Sequence, residues 1–119
     1  MKKLVLTISL LAISSICFAE GLIHPLDFKG TEAEKKQVIA LIEQNVKETY
    51  TALGMGDPST LRMMEKTELD SFKQLTQVTN RNLLDSVIDQ YCSIGMCDYN
   101  TILMMYKEQE RESNKKLQW

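Results

Sequence analysis

Gly54-Met55-Gly56-Asp57-Pro58-Ser59-Thr60-Leu61-Arg62-Met63-Met64 returns 41 residues later as Gly95-Met96-Cys97-Asp98-Tyr99-Asn100-Thr101-Ile102-Leu103-Met104-Met105. Gly, Met, Asp, Thr and both final Met residues coincide. The match continues upstream, where Val46 meets Val87, Glu48 meets Asp89 and Tyr50 meets Tyr91, and downstream, where Lys66 meets Lys107. We read this as an internal duplication with units at about 38–68 and 79–109.

The shared unit encodes a helical hairpin. Its first half carries Val38, Ile39, Ile42, Val46, Tyr50 and Leu53 in one copy and Leu83, Leu84, Val87, Ile88, Tyr91 and Ile94 in the other, each set forming one apolar helix face. Thr31-Glu32-Ala33-Glu34 has the form of a capping box for the first helix, and Thr79 or Asn80 serves the third. Gly54 and Gly95 stand where a left-handed residue ends a helix, and Asp57 and Asp98 then cap the helices that follow. Pro58 fills the first helical position, where its missing N–H costs nothing.

The expected fold is all-α: a small domain of four to five helices built from two similar hairpins. Its helices run from about Glu32 to Leu53, Pro58 to Leu75, Asn80 to Ser93 and Tyr99 to Glu112. Thr67-Glu68-Leu69-Asp70 is a further helix-start signal that would bend or restart the second helix.

The ends of the chain place the domain in a compartment. Lys2 and Lys3 precede an apolar run from Leu4 to Ile16 that is too short to span a bilayer, and Ala19 supplies a small residue before the cut. This is the outline of a cleaved secretory signal at 1–19, of a form that suits bacterial export to the periplasm. Release outside the cell and a lipid anchor on Cys17 are the competing addresses, the second disfavoured by the large Ile16 before the cysteine. Residues 20–30 read as an extended segment, 31–112 as a single helical domain and 113–119 as a polar tail closing on Leu117 and Trp119.

Of 119 residues, 14 are Lys or Arg and 16 are Asp or Glu. Removing the signal leaves 100 residues at −4, which argues against a nucleic-acid platform. A core of that size is marginal, so a covalent staple matters. Cys92 and Cys97 are the two cysteines outside the signal, and in an oxidising compartment they read as a disulfide across the second turn. A redox pair would have two intervening residues rather than four, and no histidine lies close enough to complete a zinc set. Copy one carries Thr51 and Gly56 at the matching places.

Catalytic material is scarce. His24 is the only histidine and falls in the N-terminal segment, where chains are usually mobile. Glu65, Glu68, Asp70, Asp85 and Asp89 are spread along helices among basic residues, and the glycines occur singly, so neither a carboxylate pair nor a phosphate loop is indicated. No catalytic residues and no cofactor are expected.

Methionine is the conspicuous residue. Met55, Met63, Met64, Met96, Met104 and Met105 all fall inside the repeated unit, where they serve as core filler, as adaptable contact surface or as soft ligands for Cu(I). The last use needs the copies to bring Met63 or Met64 against Met104 or Met105.

The expectation is an exported, non-enzymatic protein-binding module: an inhibitor, immunity protein, chaperone or assembly factor. It would contact another envelope or secreted protein through Met55, Met96 and Trp119. The alternative is a small-ligand or Cu(I) carrier.

Overall fold

The structure, a computed structural model, describes residues 22–119. The expected signal at 1–19 lies outside the described residues. A 3-10 turn at Pro25–Asp27 is followed by helices α1 (Glu32–Ala52), α2 (Pro58–Leu75), α3 (Arg81–Cys92) and α4 (Tyr99–Ser113). The fold is all-α, with no strand among the described residues.

Each helix starts where a side chain accepts a free backbone amide. Thr31, Asp57, Asn80 and Asp98 accept from Glu34, Thr60, Leu83 and Thr101, respectively, which satisfies donors that the helix itself leaves open. Of the two candidates for α3, Asn80 rather than Thr79 is the cap. Glu34 reaches further back than a capping box requires, since Oε2 accepts from the Lys29 N–H at 3.0 Å while Oε1 takes the Thr31 hydroxyl at 2.9 Å.

The restart signal at Thr67 does not divide α2. The Thr67 hydroxyl donates to the Met63 carbonyl one turn back at 3.1 Å, a bond that a threonine inside a continuous helix makes.

Both turns are built alike. Gly54 and Gly95 have φ of 74° and 80°, a region that a Cβ disfavours. The next amides, those of Met55 and Met96, donate to the carbonyls of Tyr50 and Tyr91 at 2.8 and 2.9 Å, closing each helix with the same long return bond. The Cys92–Cys97 disulfide clamps the second turn, with Cα atoms 4.2 Å apart.

Val38, Ile42 and Val46 of α1, Phe72 and Leu75 of α2, Leu84 and Val87 of α3, and Tyr99, Ile102, Leu103 and Tyr106 of α4 make one core. Leu83, Ile88, Tyr50 and Tyr91 are half-buried against it, whereas Ile39, Leu53 and Ile94, also on the expected apolar faces, are exposed. Short connections fold α1 back on α2 and α3 back on α4, and the hairpins join through α2 and α4.

Contacts along the α2–α4 junction rise together. Glu68 meets Tyr99 and Asn100, Ser71 meets Asn100, and Gln74 meets Lys107. The two helices therefore run in the same direction, and both turns lie at one end of the bundle. They are staggered: α4 starts beside Glu68, 11 residues into α2 from its cap Asp57, so the first turn projects about 16 Å beyond the second.

Candidate functional site

That stagger makes a ledge. The second turn abuts the side of the projecting α1–α2 hairpin, and a cleft of about 460 Å³ occupies the corner. Its walls are Asn45, Val46, Glu48, Thr49 and Tyr50 on α1, Met64, Thr67 and Glu68 on α2, and Gly95, Cys97, Asp98, Asn100 and Thr101 on the clamped turn and the start of α4. Every charged residue lining it, Glu48, Glu68 and Asp98, is acidic.

Glu68 and Asp98 share the N-terminus of α4. Glu68 Oε2 accepts the Tyr99 amide at 2.9 Å and Oε1 the Asn100 amide at 3.1 Å, while Asp98 Oδ2 accepts the Thr101 amide at 2.9 Å. One helix end, where free N–H groups favour negative charge, thus holds two carboxyl groups. Burial and the neighbouring Asp98 charge push the Glu68 carboxyl up from 4.5 to about 7, against the opposing pull of the two amides. A carboxyl that exchanges its proton near neutrality therefore stands in the wall of the cleft.

Tyr99 anchors this corner from behind. Its hydroxyl accepts the Ile23 N–H and donates to the Ile23 carbonyl, both at 2.9 Å, and burial pushes the phenol up. Its ring meets Phe72 edge-on at 4.9 Å, and Phe72 meets Phe28 in the same manner at 5.1 Å. The residues expected to be a mobile extended lead-in are thus strapped to the bundle. His24 accepts the Leu26 amide at Nδ1 and places Nε2 2.6 Å from Asp85 Oδ1, and Arg81 pairs with Asp27 at 2.7 Å. Asp27 is held below the usual carboxylate range by that guanidinium.

Leu53 and Met55 on the first turn are 63% and 44% exposed, and Ile94 and Met96 on the second are 64% and 46% exposed. Large apolar side chains so placed leave about half of their surface in water. Met64 lines the cleft and packs on the core, Met105 packs on the core, and Met63 and Met104 are exposed. None of the six is fully buried, so core filling describes two of them and only in part. A Cu(I) site would need Met63 or Met64 to meet Met104 or Met105, and of these four only Met64 borders the cleft. Among the described residues no three His, Cys, Asp or Glu side chains gather as a metal site. Leu117 and Trp119 extend fully exposed beyond α4.

Sequence reading missed the partnership of Glu68 with α4. A signal was present: Pro58 has no N–H at the first position of α2, whereas Tyr99 at the matching position of α4 has one that needs an acceptor. No protein-family model, curated protein or solved structure matches the chain, so the functional reading rests on its own geometry.

Proposed function

We propose that the protein is a small exported, non-enzymatic binding module that grips another envelope or secreted protein with the ledge formed by its two turns. The observation that carries this reading is the pairing of Leu53 and Met55 with Ile94 and Met96: two exposed apolar rims at one end of the bundle, flanking an acidic cleft. Methionine and leucine on rigid turns offer adaptable apolar contact at little ordering cost, because the glycine turns and the disulfide already fix the backbone. The partner surface that fits is apolar with a basic projection, the apolar part meeting the rims and the base entering among Glu48, Glu68 and Asp98.

Inhibitor, immunity protein, chaperone and assembly factor all use such a surface. They differ in the partner, which capture identifies. Mature protein immobilised through its C-terminus is exposed to envelope extract of its own source, retained proteins are identified, and the purified pair is titrated calorimetrically. A Met55→Ala, Met96→Ala double variant should weaken the pair at least tenfold, as loss of two central apolar contacts does. Retention unaffected by the double variant, or no saturable binding by the purified pair, would remove the ledge as the binding surface.

A further inference from the structure

At the opposite end of the bundle from the ledge, the N-terminal strap, the start of α1 and the end of α2 enclose a second concavity of about 370 Å³. Its floor is apolar: Phe28 and Phe72 in edge contact, with Val38 and Leu69 beside them. Ile39 forms an exposed lip, and Lys35 and Lys73 stand at the rim. No acidic side chain lines it. Lys73 forms no ion pair among the described residues, and the partner of Lys35 is Glu32, a carboxylate in open solvent at 3.0 Å. An exposed pair of that kind is worth little and exchanges readily for a better anion.

An apolar floor under two cationic rims is complementary to one class of small molecule, an apolar chain ending in a single carboxylate. We infer that this groove binds a free medium-chain carboxylate, its tail against Phe28, Ile39 and Leu69 above the buried Phe72, and its head between Lys35 and Lys73. The space is of the right order: about 370 Å³ equals about a dozen water volumes at the roughly 30 Å³ that liquid water allots each molecule, room for an acyl chain of medium length such as decanoate. The charge pattern excludes the same occupant from the ledge, whose lining charges are all negative.

The test is amide chemical-shift titration of the folded chain with decanoate, decanol and decyltrimethylammonium. Saturable decanoate shifts centred on Phe28, Val38, Ile39 and residues 69–76 are expected, with decanol and the cationic amphiphile binding far more weakly. A Lys35→Gln, Lys73→Gln variant should lose about tenfold in decanoate affinity, the effect of two part-exposed charge contacts. Ile39→Glu, also at an exposed position, should abolish the binding while the rest of the spectrum is unchanged. Equal affinity for all three amphiphiles, shifts centred on the two turns, or binding only to anionic lipid vesicles without a saturable decanoate site would overturn the inference.

Discussion

Replacing Glu68 with Gln should flatten the pH dependence of folding. The Glu68 carboxyl titrates at about 7 in the folded chain against 4.5 when unperturbed, a difference of about 2.5 units or roughly 3 kcal/mol at 1.36 kcal/mol per unit. Because the folded value is the higher one, the folded state binds the proton more tightly. The stability is therefore fully present below about 4.5 and is lost as pH rises to 7. Most of the loss falls in that window, and a domain of this size is stable by only about 5–15 kcal/mol in total. Gln keeps one carbonyl for the Tyr99 or Asn100 amide and offers its own N–H to Asp98, at a cost of about 1 kcal/mol for the amide bond that is lost. The variant should thus be slightly less stable than the parent at pH 4.5 and about 2 kcal/mol more stable at pH 8, with the curves crossing between. Urea unfolding of both proteins at half-unit steps from pH 4 to 8 measures this directly. His24, the only histidine, is common to both and cancels in the difference. A difference that stays flat from pH 4.5 to 7 would refute the placement of Glu68 and Asp98 on one helix end.

The first turn should accept the staple that the second already has. A Cβ built on Gly56 lies 3.6 Å from the Thr51 Cβ, within the span of a disulfide, so Thr51→Cys with Gly56→Cys should form a second bridge. Closing about six residues adds roughly 2 kcal/mol and about 10 °C in Tm, read by thiol titration and calorimetry; two free thiols after oxidation would refute the likeness of the turns. Tyr99→Phe keeps the ring contact with Phe72 but leaves the Ile23 N–H and carbonyl without their partner. A loss of about 1–3 kcal/mol, with faster amide exchange across residues 23–28, is expected; unchanged exchange there would show that the strap is held by other contacts.

What the sequence revealed was local, and what it concealed was long-range. The caps at Thr31, Asp57 and Asp98, the glycine returns and the Cys92–Cys97 bridge each depend on residues no more than six apart, so spacing alone exposes them. The apolar periodicity found the helices but overestimated their buried faces, because Ile39, Leu53 and Ile94 keep the 3.6-residue rhythm past the point where a neighbouring helix covers it. Periodicity records which way a side chain points along its own helix, and burial also needs something opposite. Glu68 and Tyr99 illustrate the same limit: the first lies 31 residues from the amide it holds, and the second 76 residues from Ile23. His24 reads as a mobile end in sequence only because its partner, Asp85, is 61 positions away.

The two hairpins are alike in their turns and unlike in their surroundings, and the difference follows from the stagger. The first turn projects, so Asp57 caps α2 alone and its carboxyl sits low, held by the Thr60 amide and hydroxyl. The second turn is set back against α2, so its cap meets a second carboxylate, and a start without proline gives that carboxylate an amide to hold. The same offset creates the cleft, since hairpins in exact register would leave no corner between turn and helix. The stapled turn is also the one that must keep its shape beside two carboxyl groups that repel when both are ionised. The disulfide holds the backbone of that turn across the pH range in which Glu68 loses its proton, so the electrostatic cost falls on the α2–α4 junction while the geometry of the ledge is retained. On this reasoning, reduction of Cys92–Cys97 should disturb the ledge more at pH 8 than at pH 5, because only at the higher pH does the unclamped turn also face two charges.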